Sequence, residues 1–206
     1  MIYNIYVGVD PSINSTGITV LVYEEESLID EKFFIIKPDK LTKKESEAES
    51  KYIDKFQYVI YEKLVNEDKD DNHKTELYKT LNFIHILDNL KEILQKYRIK
   101  YNGNTNFHIC QEGISYGSVN KTKSIFDLAG LNYMLRMSVL TMKAEDINLI
   151  IATPGEIKKF ASGNGNANKE VMIALFKASH IDFELPKLDD ISDSYWMAKY
   201  AKKLNS

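Results

Sequence analysis

The 206-residue sequence predicts an α/β fold, a mixed β-sheet with helices on its faces, from three observations. Apolar residues alternate with small or polar ones over Ile5-Tyr6-Val7-Gly8-Val9 and again over Thr16-Gly17-Ile18-Thr19-Val20, which is the period of a strand. From residue 77 onward they recur at steps of three and four, the period of a helix. The two kinds of segment then interleave in the order β-β-β-α-β-α-β-α-α, which describes a sheet covered by helices.

The opening strand stops at Asp10, because Pro11 fixes φ and removes a backbone donor. A carboxylate is thereby planted at a strand end, although an Asp-Pro pair also initiates ordinary turns. The chain folds back through residues 16–22, turns at Glu24-Glu25-Glu26-Ser27 and forms a third strand over 31–36, ended by Pro38. Residues 39–75 are rich in Lys, Glu, Asp and Asn and read as an insertion within a single domain spanning 1–206. Tyr52, Phe56, Val59, Ile60 and Leu64 fall at helical spacing there, so the insertion is expected to be a partly helical, solvated surface without catalytic content.

Residues 77–97 predict a helix on Leu77, Leu81, Ile84, Leu87, Leu90 and Leu94. His85 lacks a second ligand at i+4 and reads as a packed or surface histidine. Residues 107–113 read as a central strand that ends in Glu112, followed by a polar loop with Tyr116, Lys121 and Lys123. The helix expected over 125–142 has two apolar stripes, one of Ile125, Leu128, Leu135 and Val139, the other of Phe126, Tyr133, Met137 and Leu140. A helix apolar on two sides needs two partners, here the sheet and a second subunit. A last strand over 148–154, a helix over 167–180 and a closing helix from about Asp189 complete the chain.

No apolar run approaches the roughly 20 residues that span a bilayer, and the start carries no basic-then-apolar leader, so no membrane association is expected. The single cysteine, Cys110, excludes an intramolecular disulfide framework and fits a reducing, cytoplasmic-type compartment. A net charge of -3 weighs mildly against nucleic acid as a partner. Lys121, Lys123, Lys158, Lys159 and Lys169, interleaved with Tyr116 and Phe160, nevertheless supply the material of a DNA-binding face.

Three acidic positions remain: Asp10 and Glu112 at strand ends, and Asp190 with Asp193 one helical turn apart. Each has an ordinary explanation alone; Asp189 and Asp190, for instance, complement a helix N-terminus. Together they form an all-oxygen set without His or Cys, and clustered carboxylates repel unless cations neutralise them. Such ligands select Mg²⁺, with Mn²⁺ as a substitute, and two such ions per site promote phosphodiester hydrolysis. Further along, Gly163 and Gly165 permit φ > 0 ahead of a helix whose first amides suit an anion, though an ordinary αα turn has the same residues. No Gly-Lys-Ser/Thr follows, so the loop is not of Walker A type.

These residues resemble the RuvC-type Holliday junction resolvases, which have the ribonuclease H-like fold. The likeness rests on Gly8-Val9-Asp10-Pro11-Ser12 with Thr16-Gly17, on Gln111-Glu112-Gly113, on Thr153-Pro154 leading through Lys158-Lys159 to Gly163-Asn164-Gly165-Asn166-Ala167-Asn168-Lys169, and on Asp190-Ile191-Ser192-Asp193. Ser12 stands where the family usually has glycine, and the 39–75 insertion resembles the divergent viral and phage branch, which would place the protein in a host cytoplasm. The resemblance implies that Asp10, Glu112, Asp190 and Asp193 are catalytic, metal-binding acids and that Lys169 lies beside the scissile phosphate. It also implies a homodimeric crossover junction endonuclease that resolves four-way DNA junctions by paired nicks. Three rival readings are a broader flap or branched-DNA nuclease of the same fold, a junction-binding protein without cleavage, and an actin-like ATPase. The ATPase would need a second phosphate loop and a longer chain.

Overall fold

The computed structural model describes residues 2–68, 70–113, 122–142, 146–180 and 182–205, and only the backbone at 122–124. Six strands form one sheet: β1 (Tyr3–Asp10), β2 (Thr16–Glu24), β3 (Ser27–Pro38), β4 (Phe56–Tyr61), β5 (Thr105–Glu112) and β6 (Ile147–Ala152). Their spatial order is β4-β3-β2-β1-β5-β6. β2 is antiparallel to both of its neighbours, and the other pairs are parallel. The five remaining strands therefore point the same way, and Asp10, Pro38, Tyr61, Glu112 and Ala152 all end at one edge. The chain leaves β1 toward β2 on one side and later returns to β5 on the other. Asp10 and Glu112 therefore end neighbouring parallel strands at the carboxyl edge, the edge at which open α/β sheets bind ligands.

Six helices cover the sheet: α1 (Lys43–Lys51), α2 (Asn72–Lys100), α3 (Thr122–Thr141), α4 (Pro154–Ser162), α5 (Lys169–Ser179) and α6 (Leu188–Leu204). Among the described residues no helix is long and apolar enough to cross a membrane. The period-two alternation of the strands sorts the core into two halves. Ile5, Val7, Val9, Ile18, Val20, Val22, Phe107 and Ile109 pack toward α2 and α3. Tyr6, Leu21, Tyr23, Phe33, Ile35 and Cys110 pack toward α4, α5 and α6. Each fully buried large side chain contributes about 1.5–3 kcal/mol.

Residues 39–75 differ from their sequence expectation. Their helix is α1, which lies before the expected apolar series, and Phe56–Tyr61 is a strand parallel to β3. Phe56 and Tyr58 enter one half of the core and Tyr61 the other. The steps of four among Tyr52, Phe56, Ile60 and Leu64 suit a helix, yet four is also a multiple of the strand period. Ladder bonds to β3 decide between the two. Glu49 of α1 accepts from the outward amide of Tyr58 at 2.7 Å and blunts the new sheet edge.

Helix α2 runs further than expected at both ends, from an N-cap in which Asp71 accepts from the amide of Lys74. Its buried seam is Phe83, Ile86, Leu87, Leu90, Ile93, Leu94 and Tyr97, while Leu77 and Ile84 are exposed. A helix this rich in apolar residues does not announce which stripe meets the sheet. His85 stacks on Tyr61, a packed histidine.

Candidate active site

β1 and β5 are parallel neighbours with Val9 opposite Gln111, so Asp10 and Glu112 stand side by side at the carboxyl edge. Strand alternation turns both toward the α6 face, since Tyr6 and Cys110 belong to that half of the core. Behind them, buried Gln111 donates to Asn132 Oδ1 of α3 at 2.8 Å and anchors the end of β5.

Two glycines bring α6 down onto this edge. A Cβ at Gly8 would lie 1.8 Å from the carbonyl oxygen of Ser194, and one at Gly17 would lie 2.2 Å from that of Asp190. The helix backbone thus rests directly on the strand backbone. Gly17 is the cross-strand partner of Asp10, so this contact sets Asp190 and Asp193 beside Asp10. Ser194 and Thr19, both fully buried, share a hydrogen bond of 2.8 Å that pins the helix in place. An isolated glycine within an apolar strand signals such close approach, and the signal was present in the sequence at Gly8.

The turn after Asp10 is closed by Thr16, whose hydroxyl donates to the Ser12 carbonyl at 2.6 Å. From the same turn the buried Ser15 hydroxyl donates to Asp190 Oδ2. Asp189, the other acid in the first turn of α6, instead pairs with Lys169 Nζ from the start of α5. The two neighbouring acids thus have separate partners. Sequence reasoning found neither the Ser15 bond nor the Asp189–Lys169 pair, because both join segments remote in the chain.

Burial, then the charges of Asp193, Glu112, Asp190 and Asp189, push the Asp10 carboxyl well above the usual carboxylate range. Glu112 is pushed up to about 7 by burial and by Asp193, against the lowering charge of Lys158. Asp190 is pushed up to about 6, mainly by burial and against its bond from Ser15. Asp193 is raised by burial and by Asp189, with Lys169 and Lys158 opposing. Asp189 is also partly buried, yet its bond from Lys169 holds it below the ordinary value. Among the described residues no three His, Cys, Asp or Glu side chains close to metal-ligating spacing. The carboxylates feel one another's charge without closing on a common point.

The four acids and Lys169 therefore come together, and Lys158 lies near enough to act on Glu112 and Asp193. Lys159 is exposed on α4. Gly163 is the left-handed C-cap of α4, with φ 78. Gly165 does not adopt positive φ. It is small because Gly155 crosses it, and a Cβ would lie 3.2 Å from the Gly155 carbonyl oxygen. The amide of Val171 at the start of α5 is already bonded to Asn168, so the expected row of free amides is shorter by one. Tyr116 and Lys121 lie outside the described residues, as does the side chain of Lys123.

No family model matches the sequence, and no curated protein matches it. Solved structures do match the fold. RuvC from Thermus thermophilus aligns with a TM-score of 0.53 at 13% identity, over 99% of this chain and 97% of that one. T. thermophilus RuvC in complex with a Holliday junction substrate aligns with a TM-score of 0.51 at 12% identity, over 96% and 91%. The yeast mitochondrial Holliday junction resolvase Ydc2 gives a TM-score of 0.47 at 17% identity, over 97% and 79%. The chain shares the fold of these RuvC structures.

Proposed function

We propose that this protein is a divalent-metal-dependent endonuclease that resolves branched DNA, chiefly four-way junctions, by paired nicks as a two-fold dimer. The observation that carries the reading is the gathering of Asp10, Glu112, Asp190 and Asp193 at one sheet edge, where burial first and neighbouring carboxylates second raise each of them. Buried like charges without a basic partner in contact are costly, and an all-oxygen donor set suits a hard divalent cation such as Mg²⁺ or Mn²⁺. The fold shared with RuvC, one of whose structures holds a Holliday junction, supports the choice of substrate.

These four acids would hold two Mg²⁺ ions. When bound, such ions activate water and stabilise the leaving oxygen of a phosphodiester. The chain's own residues supply the positioning. The ends of β1 and β5 fix Asp10 and Glu112, the glycine contacts seat Asp190 and Asp193, and Ser15 orients Asp190. Lys169, positioned by its bond to Asp189, would place a cation where charge develops on the phosphoryl group. Lys158 adds a second positive charge near Glu112.

The dimer reading rests on α3. Leu131, Leu135 and Val139 are buried against the sheet, whereas Phe126, Tyr133, Met137 and Leu140 are 75%, 57%, 68% and 69% exposed on the other side. A stripe of this kind marks an interaction surface, and two equivalent strands of a junction call for a two-fold enzyme.

The test is cleavage of matched four-way, flap and linear duplex DNAs with and without Mg²⁺. Paired nicks in the four-way junction that depend on Mg²⁺ are expected. Equal cutting of linear duplex, or binding without cutting, overturns the reading.

A further inference from the structure

A second site lies at the same sheet edge, on the face away from the carboxylates. A cavity of about 450 Å³ opens between the loop after β1, the segment after β4, the first half of α2 and Asp127 of α3. That volume falls in the range of roughly 300–1,000 Å³ typical of ligand pockets. Its lining includes Ile13, Tyr61, Lys63, Tyr78, Lys79 and Phe83.

The walls are held by specific bonds. Asn82, 6% exposed, accepts from the Leu64 amide and donates to the Leu64 carbonyl, both at 2.9 Å. It thereby takes the place of a strand partner for the segment 62–66. Asn66 Nδ2 donates to the Asp71 carbonyl and to Thr75 Oγ1, each at 3.0 Å, and ties the far end of that segment to α2. The Tyr61 hydroxyl reaches the Ile13 carbonyl at 3.4 Å. Ile13 belongs to the turn whose Ser15 holds Asp190, so one short loop forms a wall of both sites.

The charges in the cavity are unequal. Lys79 is paired with Glu76 at 2.8 Å and with Asp127 at 3.3 Å. Lys63 has no carboxylate partner among the described residues. The half-buried ring of Tyr78 beside an ammonium without a carboxylate partner matches a nucleotide, whose base stacks and whose phosphate seeks a cation.

We propose that this cavity receives one unstacked nucleotide of the DNA strand that enters the carboxylate site, with its base on Tyr78 and its phosphate at Lys63. The inference rests on the nuclease reading above and extends it to a contact made by the insertion. It assigns 39–75 a part in substrate recognition, since β4 and the segment after it supply Tyr61 and Lys63.

The experiment is anisotropy with fluorescent four-way junctions, without Mg²⁺, in which a single abasic site is moved through each position flanking the branch point. Wild type, Tyr78→Ala and Lys63→Gln are compared after circular dichroism has verified their folding. At one position, loss of the base should weaken wild-type binding about tenfold. Tyr78→Ala should lose less than about twofold there, because the partner of the base is already gone. Lys63→Gln should weaken binding to every junction and reduce the salt slope by about one. Equal costs of base removal for wild type and Tyr78→Ala at all positions overturn the pocket. Should Tyr78→Ala fail to fold, an unchanged salt slope in Lys63→Gln overturns it instead. A wild-type protein without preference for the junction over linear duplex overturns the nuclease reading as well; a wild type with that preference and no Tyr78-dependent position overturns the pocket alone.

Discussion

Helices α6 and α3 close opposite faces of one sheet by opposite means. α6 descends until its carbonyls rest on Gly8 and Gly17, and Ile191, Ser194, Ala198 and Ala201 along it are fully buried. α3 keeps the distance set by large side chains and leaves a second apolar stripe in solvent. Its glycine is under no such constraint, for among the described residues a Cβ at Gly130 would meet Phe83 of α2 at an ordinary 3.6 Å. The difference teaches that backbone contact fixes a helix to within a fraction of an ångström, as a cluster of acids requires. Side-chain packing leaves room for a partner.

The largest expected effect comes from the acids that α6 completes. Asp10→Asn or Glu112→Gln should reduce nicking by about 10³-fold while junction binding survives or tightens, because negative charge near phosphates is removed. A gel assay with Mg²⁺ that finds normal cutting in either variant removes the acid from the mechanism. Lys169→Ala comes next. Cleavage should slow by about 10²-fold with little loss of affinity, since one lysine among several phosphate contacts adds little binding. A parallel fall in binding would make Lys169 a general DNA contact.

The glycines test the comparison itself. Gly8→Ala should cost about 1–3 kcal/mol by forcing α6 off the strand, which thermal melting reads as a drop of about 2–4 °C per kcal/mol. Gly130→Ala should be neutral or stabilising by up to about 1 kcal/mol, the helix propensity difference. Equal effects at the two sites would erase the contrast drawn between the helices. On the exposed stripe, Tyr133→Glu should change the protomer's stability by less than about 0.5 kcal/mol yet turn a dimer into a monomer in sedimentation at micromolar concentration. A wild-type monomer, even with junction DNA, refutes the interface.

The last effect is on pH. Glu112 and Asp190 titrate at about 7 and about 6 in the folded chain, against 4.5 and 3.8 as reference values. The folded state therefore binds more protons than the unfolded state between those limits, and stability falls as pH rises through the window from about 4 to about 7. Melting of the metal-free protein should be higher at pH 5 than at pH 8, and Mg²⁺ should recover the difference at pH 8. A metal-free melting point that rises across this range contradicts the assigned burial.

The pattern of residues determined much of this by itself. Period-two runs marked β1 and β2, and Pro11 fixed where β1 stops, because these are local consequences of backbone geometry. The four acids could be singled out because carboxylates at strand ends and one helical turn apart are visible as spacing. Tertiary structure alone decided the rest. The steps of four from Tyr52 to Leu64 fit two periods, and only pairing with β3 made Phe56–Tyr61 a strand. The choice of seam on α2 depended on which stripe the sheet accepted. Ser15 found Asp190 and Lys169 found Asp189 across 175 and 20 residues, through a helix seated on two glycines. Local sequence sets the period and the stops, whereas long-range contact depends on the packing distance between elements, which no single segment encodes.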